Sequence, residues 1–318
     1  MPAENLKPKI IAHRGASGYL PEHTLESKLV AHWQGADYLE QDVVATRDGE
    51  LVVFHDIHLD PITDVANLYP DRRREDGRYY VVDFQLPEIR ELTVRQRYNN
   101  PDELDDIYLE KIPGLDKHFS ISTLVEEIEF IQELNRFTGR NVGIYPEIKN
   151  PVWHREHDID LSERLLNALA ITGYDHATDL IFVQCFDRNE IRRLREEFAT
   201  QVNVIQLVSD DQEYADLLTP NGLAELTELV QGLGCSYTQL IDSRSDKAIR
   251  PAPLADQIMA VGLELHPYTF RRQNLPPYVK SLEALLEVFC SVIPVDAVFC
   301  DYPDVAVRVR ASVDGWRR

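Results

Sequence analysis

The sequence predicts an α/β fold: a TIM-type (β/α)8 barrel with a small inserted subdomain. Three observations predict it. Short apolar runs alternate with amphipathic helical patterns along the 318 residues, the order that builds a parallel sheet with helical crossovers. Several runs are continuous rather than alternating, as strands buried on both faces should be. Eight such runs can be counted, which is the number a closed barrel needs. A doubly wound open sheet is the alternative architecture.

The expected strands are residues 9–13, 38–43, 142–148, 180–186, 202–208, 236–241, 263–269 and 297–301. The expected helices have recognisable ends. One starts at Thr24, runs to His32 and is closed by Gly35. Thr123 and Glu126 form a capping box for a helix that reaches Phe137 and stops at Gly139. Asp160 with Glu163 opens a helix that Gly173 closes, and Asp187 with Glu190 opens another that runs to Phe198. Thr219-Pro220 leads a helix through Val230, and the last runs from Ser281 to Phe289. From Ile57 to about Ser120 only short patterns appear, in a tract rich in charge and turn formers. A structureless loop of that length is improbable in a compact domain. The expectation is one domain over residues 1–318 with an insertion at about 57–120. The triplet Arg72-Arg73-Arg74 in that tract reads as a solvated turn with acidic neighbours.

Composition restricts the partners. The formal net charge is -21. No excess of Lys and Arg is available to neutralise a nucleic acid, and an anionic membrane surface would repel the chain. A protein this acidic needs a local device to act on phosphates, and a bound divalent cation is the obvious one. The four cysteines form no CxxC pair, which argues against zinc. Neither a signal peptide nor a membrane helix is legible, so the chain as written is expected to be cytoplasmic, with no stable membrane insertion. A periplasmic chain whose leader had been removed would read the same.

The chemistry concentrates at the ends of the expected strands. The first ends in His13-Arg14-Gly15. The second carries Glu40 and Asp42, two apart and so on one side. The third carries Glu147 and Lys149, and the last two carry His266, Tyr268, Arg271 and Asp301. Asp48-Gly49 between two β-rich runs is a hairpin signal that returns His55 roughly opposite Asp42. Glu40, Asp42 and Glu147 would then repel one another on one rim unless a proton or a hard divalent cation intervened, and all-oxygen ligation suits Ca2+ or Mg2+. Arg14 and Lys149 would add positive charge for a phosphate. His13 and His55 titrate near neutrality and could serve as general acid and general base. Each feature alone is weak: a lone histidine is more often structural, and Glu-x-Asp is a very common pair. Their convergence carries the reading.

The segment His13-Arg14-Gly15-Ala16-Ser17-Gly18-Tyr19-Leu20-Pro21-Glu22-His23-Thr24 resembles the opening signature of the glycerophosphodiester phosphodiesterase family, many of whose members have Asn where His23 stands. Glu40-Gln41-Asp42 through His55-Asp56, Tyr145-Pro146-Glu147-Ile148-Lys149, His266-Pro267-Tyr268-Thr269 and Phe299 to Asp304 are similar to its later blocks. The likeness runs from about Ile10 to Val307 and is nearest to the bacterial periplasmic branch. It implies a TIM barrel with a small insertion, and hydrolysis of deacylated phospholipids to glycerol 3-phosphate and an alcohol. His13 and His55 would be the acid/base pair, and Glu40, Asp42 and Glu147 would hold calcium or magnesium. Arg14, Lys149 and Glu22 would engage or orient the phosphate, and the ring of Tyr268 or Phe270 would pack on the glycerol side. Segments between Asp210 and Leu254 fit poorly, so alcohol-side contacts there do not carry over. Two alternatives are a related phosphodiesterase acting on intact lipids, and a non-catalytic binding protein on the same barrel.

Overall fold

The apolar runs pair as parallel strands wound into a barrel. They are β1 (Lys9–Ala12), β2 (Tyr38–Ala45), β3 (Gly143–Ile148), β4 (Phe182–Cys185), β5 (Asn203–Val208), β6 (Gly232–Cys235), β7 (Glu264–Leu265) and β8 (Ala297–Cys300). The computed structural model describes residues 5–97, 119–242, 249–277, 279–314 and 316–317. The strand order is β8-β1-β2-β3-β4-β5-β6-β7. Backbone bonds from Asp296 N to Leu265 O (2.9 Å), Phe299 N to Pro267 O (3.1 Å) and Phe270 N to Phe299 O (2.8 Å) join its two ends, so the barrel is nearly closed.

Strand parity sorts the side chains. Ile11, Tyr38, Tyr145, Phe182, Ile205, Leu207, Ala297 and Phe299 form a separate buried cluster inside the barrel. Their alternates, such as Ile10, Leu39, Ile144 and Val183, belong to the larger core under the helices. Tyr145 fills the middle, with ring centroids 5.0 Å from Phe299 and 5.2 Å from Phe182. The same parity, carried two residues up each strand, gives His13, Glu40, Glu147, Gln184 and Asp301, and two more along β2 gives Asp42. The interior aromatic layer is thus the floor of whatever sits at the C-terminal mouth.

The helices follow their caps. Leu25–Trp33 begins on Thr24, whose side chain accepts from Ser27 N. Leu124–Thr138 has the capping box of Thr123 and Glu126 and stops at Gly139, whose φ is +70°. Leu161–Ile171, Arg188–Glu196 and Leu282–Ser291 start on Asp160, Asp187 and Ser281. Pro220–Leu226 starts on Thr219 but ends short of Val230. Pro151–Arg155, Pro253–Ala260 and Pro303–Ser312 escape the sequence reading. Each begins on a proline with no side-chain hydrogen bond at its N-cap, so the usual start signal is missing.

Two strand expectations need correction. Residues 236–241 are not a strand: Tyr237–Leu240 is a 3-10 turn, and β6 lies earlier at Gly232–Cys235. Close packing selects the glycines there. A Cβ on Gly232 would lie 2.6 Å from Glu264 O, and one on Gly234 would lie 2.5 Å from the Leu207 side chain. The run expected over 263–269 is regular only at Glu264–Leu265. Between 57 and 97 lie short elements, Val65–Leu68, Pro70–Arg72, Val81–Asp83 and Leu86–Ile89. Arg72 pairs with Glu88 at 2.8 Å and Arg74 makes two 2.7 Å bonds to Asp83, so these two members of the basic triplet are paired within the segment. Residues 98–118 of the expected insertion lie outside the described residues.

Candidate active site

Three strands and one hairpin deliver the site. His13 and Arg14 follow β1 directly. Arg14 has φ +57° and Gly15 φ +88°, a sharp turn in which a Cβ on Gly15 would lie 2.4 Å from Ser27 Oγ. Only glycine suits that place. The turn aims the Arg14 backbone N–H at Glu40 Oε2, 2.5 Å away. β2 and β3 pair in register with Asp42 beside Glu147. Glu40, Asp42 and Glu147 are all buried, and each offers an oxygen within 4.8 Å of the others. The segment Leu51–Val53 returns antiparallel to β2, and Phe54 N donates to Asp42 O at 2.9 Å. His55 is therefore one residue beyond the position opposite Asp42, and it reaches the same mouth.

The carboxylates conflict. Burial, and then the Asp42 charge, raise the Glu40 carboxyl well above its usual range. Burial pushes Glu147 up to about 7 despite the ammonium of Lys149. Burial would also raise Asp42, but Lys149, His55 and His23 hold it well below. Lys149 Nζ lies 2.6 Å from Glu147 Oε1 and 3.6 Å from Asp42 Oδ1. His23 Nε2 sits 2.7 Å from Asp42 Oδ2, while the buried Asp42 Oδ1 has no hydrogen-bond partner. Three buried carboxylates sharing one side of a mouth hold charge only with cations among them. The set fits a hard divalent ion: its donors are all oxygens, and the buried Asp42 Oδ1 accepts no hydrogen bond, with the Lys149 ammonium 3.6 Å away.

Each of the two histidines has a carboxylate at its back. His13 Nδ1 is 2.7 Å from Asp301 Oδ1, and His55 Nδ1 is 2.6 Å from Asp56 Oδ1. Burial opposes ionisation of Asp301, but Arg271 and His13 keep it below the usual carboxylate range. Asp56 is held low in the same way by His55 and Arg97. An ionised carboxylate only accepts, so Nδ1 carries the hydrogen and Nε2 of each ring keeps the lone pair. Burial, followed by the Arg14 charge, lowers His13 to about 4, and the same two causes lower His55. Glu22 ties the two halves together. It accepts from Arg14 Nη1 (3.0 Å) and from Arg97 Nε (2.9 Å), and Arg97 Nη2 also donates to Asp56 Oδ2 (2.7 Å).

A cavity of about 180 Å³ opens over this set, lined by His13, Arg14, Glu40, His55, Glu147 and Lys149, with Tyr268 and Phe299 on its wall. Asp42 lies beneath it and Glu22 behind Arg14. Phe270 does not join them. It is fully buried, with its ring 4.8 Å from Phe289 and 5.1 Å from Tyr237, in the outer core. The expectation of a glycerol-side role for Phe270, which the family resemblance implied, is corrected on this ground, whereas Tyr268 does line the cavity. The sequence reading gave no role to Asp56, His23, Arg97 or Arg271 and left Asp301 unassigned. Asp56 adjoins His55, and barrel closure sets Asp301 beside His13, so both were within reach. Arg97 comes from an irregular stretch with no such signal.

Comparisons with known proteins show the family and the fold. The model of the glycerophosphoryl diester phosphodiesterase family matches residues 13–305. A glycerophosphodiester phosphodiesterase of Haemophilus influenzae is 40% identical over 322 residues, covering 94% of this chain and 88% of the relative. One of Treponema pallidum is 34% identical, covering 94% and 90%. Among solved structures, an Oleispira antarctica phosphodiesterase in complex with the product sn-glycerol-3-phosphate superposes with a TM-score of 0.67 at 21% identity, covering 96% of this chain and 98% of that one. Among the described residues, no helix is long and apolar enough to cross a membrane.

Proposed function

The chain belongs to the glycerophosphoryl diester phosphodiesterase family, and from that membership we propose that it hydrolyses glycerophosphodiesters, the deacylated phospholipids, to sn-glycerol 3-phosphate and an alcohol, as part of lipid and glycerol metabolism. One observation carries the proposal: His13 and His55 open on one cavity with Glu40 and Glu147, over the acidic cluster those two form with Asp42. The product complex of the Oleispira antarctica protein supports the glycerol 3-phosphate assignment.

Glu40, Asp42 and Glu147 would hold one calcium or magnesium ion, which would supply Lewis-acid stabilisation of the charge on the phosphoryl oxygens. Arg14 and Lys149 bind the remaining phosphate charge, Arg14 through its planar fork. Glu22 orients that fork from behind, and Tyr268 walls the substrate cavity. His13 and His55 divide the proton transfers. One Nε2 takes the proton of the attacking hydroxyl, which belongs either to water or to the 2-position of the glycerol; in the second case the alcohol leaves a cyclic phosphate, whose new O2–P bond a water then breaks to give glycerol 3-phosphate. The other, protonated once the phosphate charge offsets the burial and the Arg14 charge that lower it in the free site, gives its proton to the departing alkoxide. Asp301 and Asp56 fix the tautomers and steady whichever ring becomes imidazolium. The fully buried His23 holds Asp42 in its ligating pose.

The test is glycerol 3-phosphate release from glycerophosphocholine, read through glycerol-3-phosphate dehydrogenase. The native chain should release it, and His13→Ala and His55→Ala should each lower kcat by about 100- to 10,000-fold with melting temperature retained. Near-native turnover in both folded variants would exclude the two-histidine scheme.

A further inference from the structure

Two spaces flank the reactive cavity on opposite sides. The smaller, of about 40 Å³, is lined by Arg14, Glu22, Gln96, Arg97 and Arg271 together with His13, Ser17 and Asp301. The larger, of about 710 Å³, shares Glu147, Lys149 and Phe186 with the reactive cavity and extends over the ends of β3 and β4. A phosphodiester at the histidines must send one substituent each way. The glycerol is the same in every substrate and suits the tight polar side. The alcohol varies and needs the open side.

The larger cavity has a definite chemistry. Trp153, Phe186 and Tyr214 supply aromatic surface, and Glu156, Asp187 and Glu213 supply carboxylates. Its two cations are already engaged. Lys149 pairs with Glu147 at 2.6 Å, and Arg188 makes bonds of 2.7 and 2.9 Å to Asp216 and one of 2.6 Å to Glu213 O. Among the described residues, no ion pair neutralises Glu156, Asp187 or Glu213, although Asp187 also caps its own helix. The field is felt on the wall: burial, and then the charges of Glu213 and its neighbours, push the Tyr214 hydroxyl up to about 12. Aromatic faces together with unneutralised carboxylates are the setting that attracts an alkylammonium.

Resting on the phosphodiesterase reading above, we propose that this cavity is the subsite for the leaving alcohol and that it selects head groups bearing a positively charged ammonium over neutral ones. Glu156 and Glu213 supply the charge recognition, and Phe186 and Tyr214 the apolar contact with the groups on nitrogen.

The experiment compares two diesters of one shape: glycerophosphocholine, and its analogue in which a tert-butyl group replaces the trimethylammonium. Glycerol 3-phosphate release is measured for both. The native chain should show a kcat/KM ratio of about tenfold or more in favour of the charged substrate, the size a cation–π contact with flanking carboxylates can give. In the double variant Glu156→Gln/Glu213→Gln the ratio should fall towards one. A native ratio near one, or a ratio unchanged in the double variant, overturns the subsite while leaving the hydrolase reading intact. Release from neither diester overturns the hydrolase reading itself, and the subsite with it.

Discussion

His13 and His55 each turn Nδ1 to a carboxylate, at 2.7 and 2.6 Å, so the tautomer of each is chosen by a neighbour rather than by the ring. Replacing Asp301 with Asn removes the obligatory acceptor and lets an amide N–H face the ring, which favours the wrong tautomer. Asp301→Asn should lower kcat by at least about 100-fold while KM stays within a few-fold of native. A steady-state comparison at pH 7 checks this, and an unchanged kcat would remove the carboxylate from the scheme. A second buried histidine reports on stability instead. His154 Nε2 accepts from Ala45 N at 3.2 Å and Nδ1 donates to Asn150 O at 3.0 Å. Burial lowers it from 6.5 to about 4. Its folded value is depressed, so the unfolded chain binds the proton more readily. The stability it contributes is complete above about pH 6.5 and is lost as pH falls towards 4. That difference corresponds to roughly 3 kcal/mol. Denaturant titrations between pH 7 and 4 should give a shallower loss for His154→Gln than for the native chain. Equal slopes would show that His154 does not titrate across folding.

At the scale of elements, local chemistry and barrel packing were legible to different degrees. Thr123, Asp160, Asp187 and Ser281 mark helix starts because a side chain closes on a backbone N–H two or three residues on. That contact is wholly local and so is written in the sequence. Thr123→Ala removes one half of a capping box and should cost about 1 kcal/mol, measured as a lower melting temperature with unchanged activity. A variant as stable as the native chain would mean that tertiary packing alone holds that helix end. The strand at Gly232–Cys235 was not legible, because its two glycines are required by Glu264 and Leu207 on the neighbouring strands rather than by any preference of their own. The apolar residues that suggested a strand at 236–241 serve the turn Tyr237–Leu240, with Tyr237 and Leu240 buried.

For the whole molecule, parity inside a closed barrel is what made the site readable. Ile11 to His13, Tyr38 to Glu40 and Tyr145 to Glu147 are single steps along inward-facing rows that rise from one aromatic floor, and Asp42 and Lys149 lie one step further. Arg97 and the large cavity beside β3 and β4 were not readable, because they depend on how irregular segments fold back over the mouth. On the proposed reading, a chain of net charge -21 that gathers three buried carboxylates beside a phosphate site would need a cation to reconcile the two. The direct test is glycerol 3-phosphate release by the chain after exhaustive chelation, followed by titration with calcium and with magnesium, for the native protein and for Asp42→Asn. Activity should vanish on chelation and return with one of the ions in the native chain, and Asp42→Asn should need far more ion or fail to recover. Full turnover by the chelated native chain would contradict the account.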